Sequence, residues 1–169
     1  ASQIIRLHVI ANSDETADQT LKKEVKDRVV TYLRSKMNQA ASIQAARQVI
    51  CQEMDALKEI AEKKIRQEGY DYPVTVSLGT TYFPVKEYGD MAFPAGDYEA
   101  LRVQIGKSKG RNWWCVMYPS LCLVDGVYQT VPENSKDKLK QVLSTSEYQS
   151  LVDGGEDVQF RLRFFDWLF

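Results

Sequence analysis

Residues able to do chemistry are few in this chain, and they are scattered. One histidine, His8, and three cysteines, Cys51, Cys115 and Cys122, are the only imidazole and thiol groups in 169 residues. A Ser-His-Asp or Cys-His nucleophile would have to use His8. Ile5, Leu7 and Val9 alternate with Arg6 and His8, which places that histidine on the polar side of a strand. Tetrahedral zinc needs more nitrogen and sulfur at motif spacing than these residues supply. Carboxylates are plentiful, twenty-three in all, and a pair could serve as acid and base, but most fall beside lysines on helical patterns. Glu99 differs: it shares the parity of Leu101, Val103 and Ile105, so its strand aims it at the apolar side, where a carboxylate needs a partner. Two readings stay open for it, a structural ion pair or, with Asp97 nearby, a functional carboxylate. No catalytic set, metal ligand set or cofactor motif is read from the residues.

The stronger signal is for binding. Between Tyr82 and Cys122 the chain carries Tyr82-Phe83-Pro84, Tyr88-Gly89, Pro94-Ala95-Gly96-Asp97-Tyr98-Glu99-Ala100-Leu101 and Asn112-Trp113-Trp114-Cys115. In the stretch Asn112–Tyr118, Trp113, Cys115 and Met117 face one way and Trp114, Val116 and Tyr118 the other, so neither face is polar. Either the fold covers both sides or one side is left for a partner. We expect a helical layer on one side and an aromatic and cationic surface on the other, built from Tyr98, Arg102, Asn112, Trp113 and Trp114. Tryptophan, tyrosine and arginine are the residues that anchor interfaces.

These groups need elements to position them. Ile4 to Ile10 reads as a half-buried strand, followed by the turn Asn12-Ser13-Asp14, with Thr16 and Gln19 as a capping box. Leu21, Val25, Val29, Leu33 and Met37 recur at helical spacing. A second helix enters near Ser42 and runs to about Glu68, with Ala46, Ile50, Leu57, Ala61 and Ile65 on one stripe and Gly69 as its stop. Strands follow around Val74–Leu78 and Leu101–Ile105. The latter reads as a hairpin with Asn112–Tyr118 across the basic loop Gly106–Arg111, taken as a solvated turn. Ser135–Ser150 holds one or two short helices, and Val158, Phe160, Leu162 and Phe164 mark a last strand. The expectation is one α+β domain over residues 1–169: a mostly antiparallel sheet, a two-helix hairpin packed on one face, and short C-terminal helices.

Composition narrows the classes further. A net charge of −1 argues against a nucleic-acid footprint, and no apolar run approaches the roughly 18 residues of a membrane span. Cys51 falls on the apolar side of its helix and reads as a small buried hydrophobe. Cys115 and Cys122 flank Pro119; a bridge there would be worth roughly 2.5 kcal/mol by loop-closure entropy. Whether their Cα atoms come within bridging distance is not set by spacing. No signal peptide is visible ahead of the first strand, so the chain reads as a processed or shortened form.

The chain resembles the stage II sporulation protein R family of endospore-forming bacteria. The matching runs are Arg6-Leu7-His8-Val9-Ile10-Ala11-Asn12-Ser13-Asp14, Asp18-Gln19 with Leu21-Lys22, Phe83-Pro84 with Tyr88-Gly89, and Pro94 through Leu101. They continue through Asn112-Trp113-Trp114-Cys115-Val116, Pro119, Leu121 and Cys122 to Arg163-Phe164-Phe165 with Trp167. Two departures are the missing export signal and Ser120, where a second proline is expected. The resemblance implies a secreted, non-enzymatic signal acting between forespore and mother-cell membranes. Its partner would be a membrane-embedded aspartic protease that processes the precursor of the early mother-cell sigma factor. The oxidising compartment so implied favours the Cys115–Cys122 bridge. The alternatives are an exported cell-wall hydrolase using Glu99 or Asp97, and a structural envelope-binding protein.

Overall fold

The computed structural model describes residues 3–119 and 131–154. The expected last strand and Cys122 lie outside them. The elements run β1 (Ile5–Ile10), α1 (Thr16–Met37), α2 (Ile43–Gln52), α3 (Met54–Gln67), β2 (Val74–Phe83), β3 (Lys86–Tyr88), β4 (Met91–Phe93), β5 (Gly96–Ile105), β6 (Asn112–Tyr118) and α4 (Glu133–Val142). A further helical segment covers residues 145–154. This is an α+β fold: a four-stranded sheet in the order β2-β5-β1-β6, with β3 and β4 as a small separate ladder.

The sheet is mixed. β2 pairs antiparallel with β5 and β6 antiparallel with β1, but β1 and β5 run parallel. The expected β5–β6 hairpin is therefore corrected, because β1 lies between the two strands. The loop over residues 106–111 straddles the end of β1, held there by Lys109 N–H to the Asn12 carbonyl (3.2 Å) and Gly110 N–H to the Ala11 carbonyl (3.0 Å). The Asn12 side chain accepts from Lys107 N–H and donates to Asp18, which also accepts from Ser13. These bonds explain why Asn12-Ser13-Asp14 is so particular a sequence: it is the saddle on which the crossing loop rests. The approach is close. A Cβ on Gly110 would sit 2.1 Å from the Ser13 carbonyl oxygen.

The helices bury the stripes their spacing predicts. Leu21, Val25, Val29 and Leu33 of α1, Ala46 and Ile50 of α2, and Leu57, Ala61 and Ile65 of α3 are all buried. They pack on the sheet face carrying Ile5, Leu7, Val9, Leu101, Val103 and Ile105. Ser42 caps α2 through its hydroxyl, which accepts from Ala45 N–H at 3.1 Å. The single second helix of the sequence reading is in fact two, meeting at Glu53 with φ −98° and ψ 6°. Gly69 ends α3 at φ +84°, a conformation that suits glycine.

Three local expectations are corrected. Thr16 and Gln19 form no capping box: Glu15 is the cap residue, and the Gln19 amide donates instead to the Ser13 carbonyl. Cys51 is an exposed free thiol, not a buried one, because in α2 it stands one residue past Ile50 and off the stripe of Ile43, Ala46 and Ile50. Arg6 and His8 are buried, not on a wet face. β1 is central in the sheet, and its second face is covered by aromatic side chains from distant parts of the chain.

Candidate functional site

The face of the sheet opposite the helices is built in rungs. From β2 to β6 the register places Gly79, Ala100, Arg6 and Val116 in one row, Ser77, Arg102, His8 and Trp114 in the next, and Thr75, Gln104, Ile10 and Asn112 in the last. Each row points to the same side, since side chains alternate along a strand.

The Arg6 end is closed. Its guanidinium carbon lies 4.1 Å from the Phe83 ring centroid, 4.7 Å from Tyr98, 5.5 Å from Phe93 and 6.0 Å from Tyr88. Contacts of this kind are worth roughly 0.5–2 kcal/mol each when desolvated, and here they stand in for a counter-ion. Arg6 also donates to the Tyr88 hydroxyl at 2.9 Å, and that hydroxyl donates to the Trp114 carbonyl at 3.0 Å. Burial pushes the Tyr88 and Tyr98 hydroxyls above their ordinary pKa, with Arg6 opposing. The β3–β4 ladder that brings Tyr88 and Phe93 here is tied to α4 by Lys136 to Asp90 at 2.7 Å.

The next two rungs are less covered. Trp114, Arg102, Ser77 and Gln104 are half-buried, Thr75, Gly79 and Asn112 are exposed, and a Cβ added to Gly79 would meet nothing within 4 Å. At the centre, His8 stacks on Trp114 with centroids 3.8 Å apart and meets Phe83 edge-on at 5.9 Å. Burial holds the His8 pKa at about 4; the Asn112 side chain works against that shift and the Arg102 guanidinium adds to it. The imidazole is thus neutral at physiological pH. Among the described residues neither of its nitrogens makes a hydrogen bond of good geometry, Asn112 included, and neither does the buried Nε of Arg102. The Lys86 ammonium lies 5.9 Å from the Trp114 centroid, and the exposed Lys107 and Lys109 border the far rung.

Of the residues expected to form a partner surface, the structure brings Trp114, Arg102 and Asn112 to this face. Tyr98 lies on the same side but is buried against Phe83 and Arg6, its hydroxyl bonded to the Pro94 carbonyl at 2.7 Å. Nor does it neighbour the tryptophan strand, since β1 intervenes. Trp113 faces the helices, with the Lys26 ammonium 4.3 Å from its ring. Cys115 is buried on β6. Glu99 accepts two bonds from Arg47 of α2, at 2.7 and 2.8 Å, as a bidentate pair on the helix side. Sequence reasoning missed the Arg6 cage; the density of aromatics between Tyr82 and Tyr98 was its only signal.

The family model described as stage II sporulation protein R matches residues 1–128. The chain belongs to that family. It is 38% identical over 136 residues to the stage II sporulation protein R of Bacillus subtilis (strain 168), an alignment that covers 80% of this chain and 61% of that protein. The chain thus spans less than two thirds of that relative's length. No solved structure matches it. The cage, the saddle and the half-open rungs all fall within the part matched to the family. Among the described residues no helix is long and apolar enough to cross a membrane, and no group of three or more His, Cys, Asp or Glu could hold a metal ion.

Proposed function

We propose that this protein is a secreted, non-enzymatic signal that activates a membrane-embedded aspartic protease between forespore and mother cell, which then processes the precursor of the early mother-cell sigma factor. Family membership over residues 1–128 carries the reading. The docking surface is the half-open sheet face around Trp114, Arg102 and Asn112. Two features support that placement: an indole held rigidly on an imidazole, and a guanidinium without an ion pair among the described residues. A preordered aromatic surface loses little conformational entropy on docking.

Activation follows from differential affinity alone: the signal binds the active arrangement of the protease more tightly than the idle one. Driving a 1:99 equilibrium to 99:1 takes about 5.5 kcal/mol of that difference. A few well-packed aromatic and arginine contacts, each often worth 2 kcal/mol or more, are enough. A Cys115–Cys122 bridge, in the oxidising space, is part of the proposal and would pin the end of β6. The hydrolase alternative is disfavoured by Glu99, whose two oxygens are both committed to Arg47.

The test is co-expression with the protease and its substrate in a non-sporulating host. Cleavage that requires this protein supports the signal. Cleavage without it, or none with it, leaves a structural envelope role.

A further inference from the structure

Among the described residues β2 is an edge strand, and its own sequence carries none of the usual protection. It is ten residues long, Val-Thr-Val-Ser-Leu-Gly-Thr-Thr-Tyr-Phe, with no charge and no proline. All ten pair with β5 in unbroken register, without a bulge. Among the described residues it pairs with β5 alone. Among the described residues no strand pairs with the main-chain N–H and C=O groups of its other edge, over a stretch where the side chains of Thr75, Thr80 and Tyr82, and Gly79, are exposed. Proteins normally blunt such an edge with lysine, proline, a bulge or a cover, because it templates another strand. An edge left this long and regular is the shape that strand addition uses.

The chemistry beside it is one-sided. Arg102 lies next to Ser77 on the open face, makes no ion pair among the described residues, and has a buried Nε without a partner. Between it and the edge stands only the small Ser77, and one rung along is Gly79, with open space where a side chain would be. Lys107 and Lys109 are exposed at the end of the same face. A strand laid along β2 would bring every second side chain onto this face, with only Ser77 and the bare Gly79 between it and Arg102.

We propose that the free edge of β2 accepts an extended acidic segment of a partner polypeptide as a fifth strand, with a carboxylate of that segment on Arg102. Main-chain bonds supply affinity, and the guanidinium supplies the preference for acid. This deepens the docking reading above in naming what the open face takes, but its test needs no protease.

The test uses the whole chain, labelled for amide hydrogen exchange, and three synthetic strand peptides about as long as β2. One alternates Thr and Val with Glu, one replaces Glu with Lys, and one is the Glu peptide N-methylated at alternate residues. The Glu peptide should slow exchange at alternate β2 amides and bind about tenfold or more tighter than the Lys peptide, the margin a charge-assisted hydrogen bond supplies. N-methylation should abolish binding, and Arg102→Gln should erase the preference for Glu over Lys. Absence of β2 protection with the Glu peptide, equal binding of Glu and Lys peptides to the unaltered protein, or indifference to N-methylation overturns the proposal. So does β2 protection that rises with protein concentration in a dimer without peptide, since the edge would then belong to a second copy.

Discussion

The His8 imidazole lies face to face with the Trp114 indole, centroids 3.8 Å apart and planes 14° from parallel, in the middle of the less covered sheet face. The pair explains two things at once. It keeps a strand histidine neutral and dry, and it fixes the orientation of the tryptophan that β6 places on that face.

Acid should therefore weaken the fold through His8. Its folded pKa, about 4, is below the ordinary 6.5, so the unfolded chain binds the extra proton first. Stability is full above about pH 6.5, falls as pH drops toward 4, and by then has lost on the order of 3 kcal/mol from this group. Urea unfolding at pH 7 and pH 4.5 should show His8→Phe losing less on acidification than the unaltered protein. Equal losses would mean that His8 is not the titrating group.

Tyr88 should matter through both of its hydrogen bonds. Tyr88→Phe leaves the buried Arg6 without its hydroxyl acceptor and the Trp114 carbonyl without its donor. Unfolding in denaturant should show a loss of about 1–3 kcal/mol. A change below about 0.5 kcal/mol, ordinary for a surface substitution, would show that the cage holds Arg6 by its rings alone.

Gly110 and Gly79 should behave oppositely. An alanine Cβ at Gly110 meets the Ser13 carbonyl oxygen at 2.1 Å, whereas at Gly79 it meets nothing within 4 Å. Gly110→Ala should lower the melting temperature by several degrees, as a loss of about 1–3 kcal/mol does. Gly79→Ala should leave it unchanged or raise it slightly. Matching melts for the two variants would mean that the loop over residues 106–111 does not rest on the saddle.

Much of this fold was legible because its signals are local. The stripe Leu21-Val25-Val29-Leu33, the Ser42 cap and the Gly69 stop are each decided within a few residues, and all three stand. The parity argument for Glu99 also held, since alternation alone turned it toward α2 and Arg47. Strand order was not legible. A short loop between β5 and β6 reads as a hairpin whether or not a third strand passes beneath it, and only the saddle bonds to Asn12 and Ala11 decide the matter. Alternation likewise assigned Arg6 and His8 to water, because the rings that cover them arrive from more than seventy residues away. Of the residues named for a partner surface, Trp114, Arg102 and Asn112 share one face, but which tryptophan that face carries depended on the register with β1.

The cysteines give a prediction that chemistry can check directly. Cys51 is an exposed thiol, so alkylation of unreduced exported protein should label it alone if Cys115 and Cys122 are bridged. Mass spectrometry should find one label without reductant and three with it. Labelling of Cys115 or Cys122 before reduction would remove the bridge from the account.

The central claim is that the face carrying Trp114 and Arg102 triggers the protease. Arg102→Glu tests it most directly, because the side chain is half-buried, has no ion pair among the described residues and can reverse charge at little cost to the core. The measurement is substrate cleavage in the co-expression host beside the melting temperature of the purified variant. The account predicts an unchanged melt with cleavage lost. Cleavage at the unaltered protein's level, from a variant equally well folded, would contradict it.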